Sequence, residues 1–431
     1  MEWLLNPIVD RHDPVGEPMK KPALLLPFTF GHFANDCAPC AIWLIAPAVA
    51  IAMDLSPAEV GLLITIKSVG AAAAYLPAGL IADHVSDRGR LLLATFWWVA
   101  IGYVAASFAP GFWTFAILLA IAGMGDAAWH PIATGILVRG HTSRRAQVLG
   151  IHAMGGAFAE VLAPLAVGFL LVYVDWRVAM QLTVLPTVLM GLVFFRVARK
   201  VPSAASRRVT RIDLLEIWQT WKHPKGLKVI ALMSAYNMAL MALLSMTPLF
   251  LQTVHGLTPG ETGLAFSVML MLGALAQPVI GRVSDLTGRR SVILVGNAIA
   301  AVAAVGVWLS VSLTLIITLL VVSIGVLVAI RSVLLAAAIE HAGSREGTTL
   351  GIAFALMDGV GAAGAVLAGV VGSIDLAYVY LLAAGLSITA IVIGLRVRFD
   401  GETPVAVAPP MPDEPTEASM IASTRVGPKA P

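Results

Sequence analysis

Apolar runs of about twenty residues alternate with short polar stretches along nearly the whole chain, the length an α-helix needs to cross the hydrocarbon of a bilayer. The runs predict spans at 27–52, 57–82, 91–109, 112–138, 147–173 and 177–198, and again at 229–252, 259–283, 291–310, 312–339, 348–373 and 376–396. The pattern predicts an all-α polytopic membrane protein of twelve transmembrane helices in two six-helix repeats. Its parts are an N-terminal segment (1–26), a first bundle (27–198), a central loop (199–228), a second bundle (229–396) and a tail (397–431). The tail is rich in Pro, Ala, Glu and Thr and is expected to be disordered. Residues 1–22 are polar and mixed in charge, so the first apolar run reads as a span rather than a signal peptide.

Composition strengthens this picture. Of 431 residues, 58% are hydrophobic and 12% charged, with a mean hydropathy of +0.88. A soluble domain needs more polar cover than that. The net charge of +3 is too small to suggest nucleic acid as a partner. Cys37 and Cys40, the only two cysteines, share one apolar run. They cannot staple loops together, and their C-x-x-C spacing is read as ordinary small helix residues ahead of a metal or redox pair. No G-x-x-x-x-G-K-S/T loop is present to cradle ATP, which argues against a primary pump. The central loop of about thirty residues is too short for an enzyme domain. Neither an enzyme nor a cofactor or metal is expected.

Lys and Arg fall on one side of the predicted bundle. Arg88, Arg90, Arg139, Arg144, Arg145, Arg282, Arg289 and Arg290 follow even-numbered spans, and the central loop adds Arg199, Lys200, Arg207, Arg208, Arg211, Lys222 and Lys225. Arg177 lies opposite. By the positive-inside bias both termini and the central loop are expected to be cytoplasmic.

The halves repeat. Gly79-Leu80-Ile81-Ala82-Asp83 closes span 2 and Gly281-Arg282-Val283-Ser284-Asp285 closes span 8, while Leu149-Gly150-Ile151 and Leu350-Gly351-Ile352 open spans 5 and 11. In the second copy, Gly281, Asp285, Gly288, Arg289 and Arg290 make physical sense as a cytoplasmic latch. The first glycine lets helices approach, the aspartate bonds a neighbour, the second glycine turns the chain and the arginines anchor it. A plain basic loop obeying the charge bias is the simpler reading. The pattern resembles the G-x-x-x-D-x-x-G-R-R loops of the major facilitator superfamily. In the first copy, Gly79 and Asp83 are followed by Arg88, Gly89 and Arg90, so the glycine comes late. The resemblance implies a solute transporter working by alternating access, with a site near the midplane between the repeats.

A finer likeness lies in His32-x-x-Asn35-Asp36 of span 1, Gly123-x-Gly125 through His130-Pro131 of span 4, and Gly155-Gly156 followed by Pro164 in span 5. These are similar to the fosmidomycin-resistance-like subgroup, which implies proton-coupled efflux. Ile132 stands where that subgroup often has a glutamate, and Ala163-Pro164 where it has Gly-Pro.

The same residues stand out by cost. An ionisable side chain in a span costs about 2.5–3.5 kcal/mol on insertion scales and normally faces a cavity or a partner. His32, Asn35 and Asp36 share one helix face, as do Asp126 and His130. Proton coupling needs groups that change charge between facing states. Asp36 with His130 is the expected coupling pair, followed by Asp126 and Glu160, with Arg331 as counter-charge or anion contact. The alternative is a buried pair that simply joins two helices. Other cavity candidates are His32, Asn35, Trp43, Trp129, Tyr236, Asn237 and Asp358. His32 and His152 suit a gate, Trp43 and Trp129 either stack on substrate or pack, and Lys67 reads as structural. The expected partners are a small molecule, protons and lipid, with one copy as the working unit. Proton-coupled efflux leads; uptake of an organic anion held by Arg331, or a non-transporting sensor on the same fold, are the alternatives.

Overall fold

The computed structural model describes residues 24–140, 145–203, 221–342 and 355–397. The described helices are α1 (Leu25–Met53), α2 (Pro57–His84), α3 (Arg88–Ser107), α4 (Phe112–Gly140), α5 (Arg145–Tyr173), α6 (Trp176–Ala198), α7 (Pro224–Thr253), α8 (Pro259–Thr287), α9 (Arg289–Leu309), α10 (Leu313–Ala342), α11 (Ala355–Gly372) and α12 (Tyr378–Gly394). Eleven are long and apolar enough to cross a membrane, and α12, at 17 residues, is shorter. No strand occurs among the described residues. Most of the predicted tail, the predicted span residues 348–354, and Arg144, Arg207, Arg208 and Arg211 lie outside the described residues.

Helix caps account for two of the larger boundary differences. α7 begins at Pro224, five residues ahead of the hydropathy boundary, because His223 caps it and proline sets the first turn. α3 begins at Arg88 because Asp87 Oδ1 accepts the Arg90 amide at 2.9 Å. A repeat that hydropathy does not display appears at the other end of the bundle. Ser56-Pro57-x-Glu59 opens α2 and Thr258-Pro259-x-Glu261 opens α8, each as a full capping box with proline in the first turn. The glutamates accept the Ser56 and Thr258 amides at 2.8 and 2.9 Å.

Glycines two residues beyond those glutamates let the halves meet backbone to backbone. A Cβ on Gly61 would overlap the Ala365 carbonyl and lie 3.1 Å from Cα of Gly369, which joins α2 to α11. A Cβ on Gly168 would lie 2.9 Å from Cα of Gly263, which joins α5 to α8. Hydrogen bonds follow the same seams. Thr65 Oγ1 donates to Ala362 O at 2.8 Å, Ser267 Oγ donates to Val161 O at 2.8 Å, and Ser373 Oγ accepts the Ala58 amide at 3.1 Å. Among the described residues, hydrogen bonds between the halves run from this end to mid-span, and none joins the ends that carry the two loop motifs.

Candidate functional site

α1 and α4 bring the sequence's most expensive polar residues into one cluster at mid-span. Asn35, fully buried, donates from Nδ2 to Asp126 Oδ1 at 2.7 Å and to Asp36 Oδ1 at 3.3 Å, so one amide bridges two carboxylates. His130 Nε2 stands between the same acids, 4.0 Å from Asp36 Oδ1 and 3.9 Å from Asp126 Oδ1. His32 Nδ1 lies 2.9 Å from the His152 carbonyl. A carbonyl oxygen only accepts, so that nitrogen carries the hydrogen and Nε2 is turned to Asp36 Oδ2, 3.3 Å away. The His32 ring stacks on His152 at 4.4 Å and meets His130 edge-on at 5.1 Å.

The paired glycines of α5 make room for this cluster. A Cβ on Gly156 would fall 2.7 Å from His32 Nε2 and 3.2 Å from Asp36 Oδ2, and one on Gly155 would fall 3.0 Å from His32 Cβ. Small residues here serve close approach of α5 to α1. His32, Asp36 and His130 offer donor atoms within 4.8 Å of one another, compact enough to consider a metal ion. The carboxylate is already engaged by the Asn35 amide and the His32 ring.

Two polar links cross between the halves at mid-span. Arg331 Nη1 on α10 donates to Glu160 Oε1 on α5 at 2.7 Å. Tyr75 Oη on α2 donates to Asp358 Oδ2 on α11 at 2.7 Å. Lys67 lies two turns along α2 from Tyr75, half-buried, with no hydrogen bond or ion pair among the described residues. Tyr75 was not among the residues singled out from the sequence, because a tyrosine in an apolar run carries no cost signal.

Several expectations change. Trp129 is not on the cavity: it is fully buried against Phe28, Phe96 and Phe194 at ring distances of 5.9, 4.8 and 5.6 Å, and packs α4 against α1, α3 and α6. Tyr236 and Asn237 are likewise fully buried. Tyr236 donates to Leu327 O and Asn237 to Met357 O at 2.6 Å, so they tie α7 to α10 and α11 instead of facing a passage. Trp43 is half-buried against the apolar core. Arg331 is engaged by Glu160, not free for an anion. His152, read from the sequence as a gate or interface residue, stacks on the cluster.

The loop motifs also differ from expectation. Gly281 permits no close approach, since a Cβ there would meet nothing within 4 Å, and one on Gly79 would make only ordinary contact with Pro131 at 3.7 Å. The close approach belongs to Gly89, where a Cβ would overlap the Ala198 carbonyl, which explains a glycine placed late in the first copy. Gly288 turns the chain as expected, at φ +90°. Arg289 holds Asp285 at 2.6 Å and Glu340 of α10 at 2.8 Å, and Arg290 donates to the Leu395 carbonyl, so the second motif braces α8, α9, α10 and the end of α12 within one half. Arg88, buried, donates from Nε to Ala82 O at 2.7 Å, and Arg90 pairs with Asp87 at 3.1 Å. The side chain of Asp83 lies outside the described set.

The sequence matches the Major Facilitator Superfamily over residues 28–275 and 250–426. The chain belongs to that superfamily. It is a multi-pass membrane protein. A hexuronate transporter of Bacillus subtilis is 23% identical over 284 residues, 63% of this chain and 66% of the relative. A protein of Cupriavidus pinatubonensis named "Probable 4-methylmuconolactone transporter" is 29% identical over 150 residues, 34% of this chain and 35% of the relative. The matched stretches thus span about a third and just under two thirds of those relatives. A bacterial homologue of the human lysosomal transporter Spinster, solved inward-facing and occupied, has a TM-score of 0.74 at 17% identity, covering 88% of this chain and 97% of that one. At that identity the likeness is one of fold.

Proposed function

We propose that this transporter drives a small organic solute across the inner membrane by proton coupling, with both termini cytoplasmic and the α1–α4 cluster as the proton site. One observation carries the reading. His32 Nδ1 is committed to a carbonyl, so Nε2 and Asp36 Oδ2 would be two lone-pair acceptors facing each other at 3.3 Å unless one of them holds a proton. Asp126 and His130 stand within reach to receive or hand it on. Histidine titrates near neutral pH, which suits a group that must load on one side and unload on the other.

In the efflux direction, which the His-x-x-Asn-Asp and His-Pro motifs favour, a proton arrives from outside and leaves inward as the solute departs. The Glu160–Arg331 and Tyr75–Asp358 links between halves part and re-form as the passage changes sides. Uptake of an organic anion is the second reading, favoured by the hexuronate relative, since a hexuronate is a carboxylate. Radiolabelled solute flux in oriented vesicles under an imposed pH gradient tests both. Gradient-dependent accumulation in inside-out vesicles supports efflux, and accumulation confined to right-side-out vesicles supports uptake. Flux indifferent to the pH gradient in both removes proton coupling.

A further inference from the structure

Among the described residues, Lys67 is the deep charge left without a hydrogen bond or an ion pair. Within the spans, Arg331 has Glu160, Asp358 has Tyr75, Asp36 has His32 and Asp126 has Asn35, each at 3.3 Å or less. Lys67 has neither a hydrogen bond nor an ion pair among the described residues, although it sits ten residues into α2, about 15 Å along the axis from Pro57 and near mid-span. A lysine near a helix end can snorkel to the interface; one at this depth reaches a wet cavity or stays unpaired at high cost. Its stem passes Gly123 of α4, where a Cβ would lie 3.7 Å from Lys67 Cγ. That glycine is three residues from Asp126, so the stem runs beside the proton cluster. The nearest acids, Asp126 and Asp358, are already engaged by Asn35 and Tyr75.

We propose that Lys67 is the anchor for the carboxylate of a small organic-acid substrate. The inference rests on the transport reading above but not on its direction or its coupling ion. A substrate carboxylate supplies the acceptor that the fold withholds and neutralises the ammonium at the depth where its cost is greatest. Arg331, the anchor suggested by sequence alone, is consumed by Glu160 and holds the halves together instead. The bound acid then lies against the Asp126 side of the cluster, where its charge and the proton's are felt together.

The test uses the purified full-length chain in lipid nanodiscs. Melting temperature is followed against sodium glucuronate and sodium benzoate, and against glucuronamide and benzamide, which keep shape and lose charge. The expected result is stabilisation by at least one carboxylate but not by its amide. Lys67→Met should weaken it about tenfold or more, and Lys67→Arg should retain it within about threefold. Without ligand, Lys67→Met should melt at or above the wild-type temperature, because an unpartnered charge is removed; a lysine that merely braces the bundle would give a lower one. Equal stabilisation of wild type and Lys67→Met, none included, overturns the proposal, as does an amide that matches its acid or a ligand-free Lys67→Met that melts lower. Carboxylate-selective binding that survives while Asp36→Asn leaves pH-driven flux unchanged would strike the proton site and leave this anchor standing.

Discussion

Arg331 on α10 reaches Glu160 on α5 at 2.7 Å and so joins the two halves by an ion pair at mid-span. Both side chains are about one quarter exposed, so the pair does not sit in a sealed core. Removing one partner from such a site leaves an uncompensated charge, which costs about 3 kcal/mol or more in buried settings and less as water gains access. Glu160→Gln and Arg331→Met are each expected to lower both melting temperature and transport. The double variant should recover most of the stability but not the transport. A double-mutant cycle on melting temperature and flux measures both, and additive losses would show that the two residues act apart.

Asp36→Asn keeps the Asn35 bridge to Asp126 but removes the charge that faces His32. Exchange of labelled for unlabelled solute should continue in this variant while accumulation driven by a pH gradient disappears. Flux assays in proteoliposomes with and without the gradient read both quantities. Unchanged driven accumulation would take Asp36 out of the proton path.

Gly156→Ala introduces a methyl group 2.7 Å from His32 Nε2, so the imidazole must move away from Asp36. We expect driven transport to fall about tenfold or more, while the protein still folds with a loss of about 1–3 kcal/mol from overpacking. Expression and melting temperature, followed beside flux, separate the two effects. Wild-type driven transport in this variant would mean that the His32–Asp36 contact does not matter to coupling.

The two families of glycine are expected to respond in opposite ways. Gly263→Val and Gly168→Val should destabilise by about 1–3 kcal/mol, because backbone occupies the space each side chain would need. Gly281→Ala, with nothing within 4 Å, should be neutral within about 0.5 kcal/mol or slightly stabilising through helix propensity. Melting temperatures decide it. A destabilised Gly281→Ala would restore that glycine to the role its motif suggests.

The all-helical membrane fold and the superfamily were legible in the sequence because hydropathy length and charge bias act locally, and a membrane allows few alternatives to a helix. Spacing put His32, Asn35 and Asp36 on one helix face and Asp126 and His130 on another, and equal depth on antiparallel spans with the resembled fold pointed to Asp36 beside His130. Side-chain direction was not legible. Trp129 and His130 are neighbours, yet one is sealed among phenylalanines and the other faces two acids; which way the face turns depends on how α4 leans on α1 and α3. Tyr236 and Asn237 looked polar enough for a cavity, but backbone carbonyls of α10 and α11 claim them. Gly281 and Gly89 exchanged roles because close approach is a property of two backbones, and the motif names only one. That Lys67 has no hydrogen bond or ion pair among the described residues could be seen only once their charges had been matched.

The seams at Gly61–Gly369 and Gly168–Gly263 press main chain on main chain. Parting them breaks a few neutral hydrogen bonds and some dispersion, yet frees almost no rotamers and separates no ions there. Such a closure supplies fit with little preference of its own. The choice between the two facing states then passes to the centre of the molecule, where a single arriving proton or anion can tip it.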